Sequence, residues 1–304
     1  MLLSPTRLSQ LLRTEAGCIL LDASWHMPNS PRNARNEFLA RRIPGSNFLD
    51  LDEVASPHDL GLKHMLPSGE VFAKACEKFG IEPSSRVVIY DSHGVFSSPR
   101  ALWTFKCFGH QNVSILDGGL PRWAAEGFPT DSNPPQDSTK TATYPVPSLE
   151  SKPVRSYEEV VSNSGLIPFQ SPAAELVLDA RSRGRYLGTD PEPRPGLSSG
   201  HIPNSVSLPF NLFLENNTAK DGSSYTTLLS EPQLRTAVVD TLGPEKAQAV
   251  FDGKVSVIAS CGSGMTAAIL WLGLQTLGVK QVAIYDESWT GYALRPSSRV
   301  EKSP

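Results

Sequence analysis

Short apolar runs punctuate the chain at residues 18–21, 47–49, 87–90 and 113–116, and their length predicts four β-strands. Between them, apolar positions recur at helical intervals over 68–79 and 99–108. The same order returns in the second half, with strands predicted at 176–178, 206–208, 255–258 and 281–285 and helices at 231–241 and 265–277. Strands that alternate with helices in this way predict an α/β fold with a mostly parallel sheet.

Direct comparison of the two halves supports a duplication. Asp22-Ala23 answers Asp179-Ala180, and Ile43-Pro44-Gly45-Ser46 answers Ile202-Pro203-Asn204-Ser205. Laying Trp103 on Trp271 without a gap puts His93 on Cys261, and one gap later Gly109 and Asp117 fall on Gly278 and Asp286. A repeat of about 160 residues is a duplicated domain and not a solenoid unit. The expected organisation is one domain over 1–130 and another over 154–294. Residues 131–153 form a linker whose Pro134, Pro135, Pro145, Pro147 and Pro153 predict an extended, semi-rigid connector. Residues 295–304 form a polar tail, expected to fray. At the N-terminus, Ser4 and Pro5 before Leu8, Leu11 and Leu12 predict a capped helix. The same segment carries Arg7 and Arg13 with no acid before Glu15, the composition of a weak mitochondrial presequence.

Composition narrows the functional classes. The 304 residues suffice for two cores, and 39% apolar content with a net charge of −3 points neither to disorder nor to a nucleic-acid-binding surface. No run of about 18 apolar residues occurs, so a membrane-spanning helix is not expected. Cys18, Cys76, Cys107 and Cys261 lie far apart without a C-x-x-C pair, which argues against a zinc ribbon and against a disulfide framework, and fits a reducing compartment.

One segment carries chemistry. Cys261-Gly262-Ser263-Gly264 lies on the turn between the predicted strand at 255–258 and the helix at 265–277, where function concentrates in α/β sheets. Two glycines let the backbone curl so that successive N–H groups converge in front of the helix N-terminus. Such donors stabilise a thiolate at Cys261, and the thiolate is the nucleophile. A cysteine phosphatase would use a similar cradle but end it in arginine six residues further on (C-x5-R). Here that position is Ala267, and no Lys or Arg lies between Cys261 and Ala268, so a phosphate dianion lacks its cation. Cys18, Cys76 and Cys107 read as core residues.

These residues, together with Met265-Thr266, Gly184-Arg185-Tyr186, Pro191-Glu192-Pro193-Arg194, Gly200-His201-Ile202-Pro203, Ser97-Ser98-Pro99-Arg100 and Asp117-Gly118-Gly119, resemble the tandem-domain rhodanese family over nearly the whole chain. Within that family the likeness is greatest to the eukaryotic 3-mercaptopyruvate and thiosulfate sulfurtransferases. The resemblance implies two tandem rhodanese-like domains, each a mostly parallel sheet flanked by helices, with only the second catalytic. His93, laid on Cys261, cannot carry a persulfide and fits an inactive first domain.

The resemblance further implies that Cys261 accepts the sulfur as a persulfide held by the loop at Gly262, Gly264, Met265 and Thr266, and that Arg185 and Arg194 bind the substrate's carboxylate and carbonyl oxygen. A guanidinium fork suits a carboxylate at any working pH. A serine–histidine–aspartate relay proposed for the mercaptopyruvate enzymes maps onto Ser263, His64 and Asp52, with the segment from Glu53 to Lys63 one residue longer here. Thiosulfate-preferring members place basic residues just after the nucleophile. Gly262 and Ser263 are neutral, which favours 3-mercaptopyruvate and leaves thiosulfate a weaker donor. No metal or organic cofactor is expected. The implied partners are a small-molecule sulfur donor and a thiol, cyanide or thioredoxin acceptor, with no direct contact to nucleic acid or membrane. An alternative is a sulfur relay, loaded by a cysteine desulfurase and supplying a sulfur-activating protein in tRNA thiolation. Cytoplasm and mitochondrion are the expected compartments.

Overall fold

The computed structural model describes residues 1–15, 17–135 and 142–303, and the chain divides into two compact units. The first comprises Met1–Ser56, Leu66–Glu150 and Glu215–Leu228; the second comprises Pro57–Met65, Ser151–Leu214 and Leu229–Pro304.

The first unit runs β1 (Leu2–Leu3), α1 (Pro5–Thr14), β2 (Ile19–Asp22), α2 (Ala34–Ala40), β3 (Ser46–Phe48), α3 (Gly69–Lys78), β4 (Val87–Tyr90), α4 (Ser98–Cys107), β5 (Val113–Leu116) and α5 (Gly119–Ala125). Its five strands lie in the order β1-β5-β4-β2-β3, all pairs parallel. The alternation read from the apolar runs is therefore realised, with β4 and β5 at the predicted residues. Local signals set the helix starts: the Ser4 side chain accepts the Arg7 N–H at 3.2 Å with Pro5 at the first position, and Ser68 accepts from Val71 N at 3.2 Å. The N-terminal segment is part of this fold. Leu8 and Leu11 are buried and β1 pairs with β5.

The chain continues with β6 (Val154–Arg155), α6 (Tyr157–Ser164), β7 (Leu176–Asp179), α7 (Arg183–Leu187), β8 (Val206–Ser207), β9 (Leu214–Thr218), β10 (Ser224–Leu228), α8 (Glu231–Leu242), α9 (Pro244–Phe251), β11 (Val257–Ser260), α10 (Ala267–Thr276), β12 (Val282–Tyr285) and α11 (Ser288–Ala293), all of them in the second unit except the ribbon β9–β10 from Glu215 on. Its sheet order, β6-β12-β11-β7-β8, repeats that of the first unit strand for strand. The separate two-stranded ribbon β9–β10 has no counterpart in the first half. From Glu215 onward it packs within the first unit, where Leu228 N donates to Asp117 Oδ1 at 3.0 Å.

The cores are two clusters on the sheets. One gathers Leu20, Val88, Tyr90, Leu116 and Trp123, the other Val177, Ile258, Tyr285, Trp289 and Tyr292. α10 is buried along nearly its whole length, as its apolar composition predicts. In each sheet the two central strands, β2 and β4 or β7 and β11, lead to next strands on opposite sides, so the loops after β4 and β11 stand at a topological switch point.

One expectation changes. The polar tail is fastened rather than frayed: Glu301 and His201 exchange backbone hydrogen bonds at 2.8 and 3.0 Å, and Ser303 N donates to Leu187 O. The connector is strapped at its start by Arg42, whose backbone pairs with that of Asp131, and Tyr144 near its end is buried against His110. Its middle, residues 136–141, lies outside the described residues.

Candidate functional site

Cys261 is the first residue beyond the central strand β11 and is buried. The start of α11 clamps the loop that follows. Cys261 N donates to Ser288 Oγ at 3.1 Å, Trp289 N donates to the Cys261 carbonyl at 2.9 Å, and Thr290 N donates to the Gly262 carbonyl at 3.0 Å. Gly264 adopts φ +81°, the left-handed turn that glycine makes without strain, and the chain then enters α10, which has no side-chain cap. A helix N-terminus without a side-chain cap leaves its amide donors and dipole to whatever stands before it.

Two guanidinium groups face the same loop. A Cβ built on Gly262 would lie 3.1 Å from Arg185 Nη2, tight enough to press on it, and 3.7 Å from Arg194 Nη1, in van der Waals contact. Arg185, on α7, is held by Glu192 through Nε to Oε1 at 3.1 Å and Nη2 to Oε2 at 2.5 Å. Glu192, only 1% exposed at its side chain, also accepts from Arg181 Nη1 at 2.8 Å. Arg181 is buried too. Its guanidinium binds Asp179 at the end of β7 and the Gly200 carbonyl at 2.6 Å, and it stacks 4.2 Å over the Trp289 ring. Burial works against its charge, but Asp179 and Glu192 hold its pKa above the ordinary arginine value.

Of the sequence-predicted residues, the structure brings together Cys261, Gly262, Arg185 and Arg194. Ser263 is part-buried in the same loop, with Gly264 and Met265 buried and Thr266 part-buried. His64 belongs to the second unit's Pro57–Met65 segment, where it is 3% exposed with φ +47°. His58 of that segment lies 3.5 Å from Glu287. Asp52 belongs to the first unit, where its Oδ2 accepts the Trp25 indole N–H at 3.2 Å. The other cysteines behave as core: burial pushes the Cys18 thiol up to about 11 and raises Cys76 further. Arg181, Ser288 and Trp289 were not among the predicted site residues. The available signal was the Asp179-Ala180-Arg181 sequence at the end of a buried strand, beside an acid, Glu192, in the following loop.

The first unit corrects one correspondence. In the strand registers Asp22 pairs with Tyr90, and Asp179 pairs with Ser260. The residue matching Cys261 is therefore Asp91, not His93. Trp103 lies 13 positions beyond the end of β4 and Trp271 lies 11 beyond the end of β11, so a match that lays the two tryptophans together without a gap slips by two residues at the strand ends. Asp91 Oδ1 accepts from His93 N and Gly94 N, and Oδ2 accepts from Phe96, Ser97 and Ser98 N, all at 2.9–3.1 Å. Burial pushes its pKa up, but the Ser98 hydroxyl, the neighbouring imidazole and these amides hold the carboxyl below its ordinary value. His93 stands aside, with Nε2 2.9 Å from His26 Nδ1. By the same matching, Ser288 answers Gly119. Both adopt positive φ, +50° and +54°. The Ser288 hydroxyl donates to the Tyr285 carbonyl at 2.9 Å and lies 4.0 Å from Cys261 Sγ.

A buried thiol at the head of a helix, with two guanidinium groups over the next residue, suits a small anion whose reacting atom lies close to its carboxylate. Among the described residues no group of three His, Cys, Asp or Glu side chains could hold a metal ion. The chain matches the rhodanese-like domain over residues 4–126 and again over 168–295. It is 38% identical to a probable 3-mercaptopyruvate sulfurtransferase of Schizosaccharomyces pombe, covering 91% of this chain and 87% of that one. It is also 38% identical to the thiosulfate sulfurtransferase of Bos taurus, covering 90% and 84%. Overall identity therefore does not distinguish the two donors. The yeast mitochondrial complex I sub-stoichiometric sulfur transferase subunit superposes with a TM-score of 0.83 at 31% identity, covering 100% of this chain and 99% of that one.

Proposed function

Since the chain belongs to the rhodanese family and carries its domain twice, we propose that it is a sulfurtransferase taking sulfur from 3-mercaptopyruvate through a persulfide on Cys261. The observation that carries this reading is the pair of guanidinium groups beside Gly262, one residue from the nucleophile. Arg185 and Arg194 hold the donor's carboxylate and carbonyl oxygen, which sets its sulfur before Cys261. The Cys261 thiolate attacks that sulfur. The carbon–sulfur bond breaks, its electron pair leaves as the enolate of pyruvate, and the enolate takes up a proton. The outer sulfur of the persulfide rests on the loop amides of Gly262, Gly264, Met265 and Thr266, at the head of α10. An acceptor thiol, cyanide or thioredoxin then attacks the outer sulfur and releases the Cys261 thiolate. Ser263 and His64, both of the second unit, handle the proton in this reading.

Donor preference follows from charge. Thiosulfate is a dianion, and the residues directly after Cys261 are neutral, so 3-mercaptopyruvate with its single carboxylate is the better substrate. A second reading is favoured by the close superposition on a sulfur transferase held as a subunit of a larger assembly. In that reading the chain is a relay that hands sulfur to a protein partner, and the family resemblance points to a cysteine desulfurase as its source and a sulfur-activating protein of tRNA thiolation as its acceptor. The cytoplasm with a mitochondrial fraction is the compartment that fits both.

The test is turnover with 3-mercaptopyruvate and thiosulfate side by side, with dithiothreitol as acceptor and intact-mass detection of the added sulfur on Cys261. A strong preference for mercaptopyruvate, abolished in Cys261→Ser, is the expected result. Turnover retained by that variant would sink the mechanism. Failure of both donors, with loading by a desulfurase, would select the relay.

A further inference from the structure

We infer that Glu192, itself fixed by Arg181, is a positioning residue that aims Arg185 at the nucleophile loop; this rests on the reading of Arg185 as a carboxylate ligand. An arginine side chain is long and gives up much rotamer freedom when held in one place. α7, which carries Arg185, is only five residues long and ends at Gly188 in a left-handed turn. The aim of the guanidinium is therefore set from outside the helix. Glu192 does this with a fork: its two oxygens take Nε and Nη2 of Arg185, which fixes the guanidinium plane and leaves the Nη1 edge and one Nη2 hydrogen uncommitted to that carboxylate. Nη2 is the atom that would meet a Cβ on Gly262.

Glu192 needs its own anchor, because a buried carboxylate persists only when it is paired and hydrogen-bonded. Arg181 supplies it, and the same guanidinium is pinned to Asp179 at the strand end, to the Gly200 carbonyl and to the face of Trp289. Trp289 in turn holds the Cys261 carbonyl. One planar group thus ties the partner of the substrate arginine to the backbone of the nucleophile. Two acids and two arginines balance in the cluster, which lets it be buried without net charge.

The first unit shows that the fold itself does not require this cluster. Two residues past Asp22, where Arg181 follows Asp179, stands Ser24, whose N–H and hydroxyl serve Asp22 at 2.9 and 2.5 Å. The same sheet and strand end are thus built without the arginine. The cluster occurs in the half that carries the nucleophile.

The experiment is a double-mutant cycle in the full-length chain, with Glu192→Gln, Arg185→Ala and both together. Glu192→Gln should raise KM for 3-mercaptopyruvate about tenfold while kcat changes less than threefold. The double variant should be no worse than Arg185→Ala alone, because Glu192 acts only through Arg185. Additive losses, or a fall confined to kcat, would overturn the inference. Should Glu192→Gln fail to fold, Arg181→Lys takes its place with the same expectations. Protection of Cys261 from iodoacetamide by pyruvate, measured on the same variants, needs no turnover. If the wild type does not use mercaptopyruvate yet protection shows the same non-additivity, the donor assignment fails and the positioning stands. If protection is additive, the positioning fails.

Discussion

Asp91 and Cys261 occupy the same place in two sheets of identical strand order, each the first residue beyond the central strand. In the first unit the loop amides converge on the Asp91 carboxylate, with five N–H groups within 3.1 Å of its two oxygens. The carboxylate is thus a resident anion at the position that Cys261 occupies in the second unit. In the proposed mechanism the loop after Cys261 would present its amide donors to the persulfide in a similar way.

Replacing Asp91 by asparagine should therefore cost the first unit about 3 kcal/mol, because an amide nitrogen would face amide donors in a buried site. Urea unfolding monitored by fluorescence would measure it. A loss below about 1 kcal/mol would mean that the amides find other partners and that the carboxylate does not organise the loop.

Arg185→Ala and Arg194→Ala should each raise KM for 3-mercaptopyruvate by about thirtyfold or more, the loss of roughly 2 kcal/mol from a charge-assisted hydrogen bond. Reaction of Cys261 with a neutral organic trisulfide should change far less. Equal effects on both donors would make the arginines structural.

Ser288 sits at φ +50°, where its first-unit counterpart is Gly119. Ser288→Gly should relieve about 1 kcal/mol of backbone strain but remove the acceptor of the Cys261 N–H, whereas Ser288→Ala keeps the strain and loses the same hydroxyl. The glycine variant should melt above the alanine variant, and both should form the persulfide about tenfold more slowly. The reverse order of melting temperatures would show that the hydroxyl is not held there against strain.

Asp22 and Asp179 end equivalent strands, but only Asp179 has an arginine on it. Asp22, served by Ser24, is pushed up to about 7 by burial. Its unfolded carboxyl loses its proton near pH 4 while the folded one keeps it to about 7, so the unfolded chain binds fewer protons across that window and stability falls as pH rises. Asp22→Asn lacks this dependence. Relative to wild type the variant should gain about 4 kcal/mol between pH 4 and pH 8 in thermal or urea melts. A constant difference across that range would mean that Asp22 is ionised throughout.

The amino-acid sequence by itself determined the duplication, the β4 and β5 strands, the capped first helix and the cysteine on its strand-to-helix turn. These are local properties: four apolar residues in a row, a serine before a proline, two glycines after a cysteine. Only the tertiary structure decided which first-half residue answers Cys261, because the slip between His93 and Asp91 is visible only in the hydrogen-bonded register of β2 with β4 and β7 with β11. It likewise placed the β9–β10 ribbon with the first unit and gathered Asp179, Arg181, Arg185 and Glu192 into one buried cluster. In the sequence the family resemblance marks Arg185, but nothing there pairs it with Asp179, Arg181 and Glu192. Burial and pairing depend on residues distant along the chain, and no local pattern of apolar and polar positions encodes which charges will be taken out of water together.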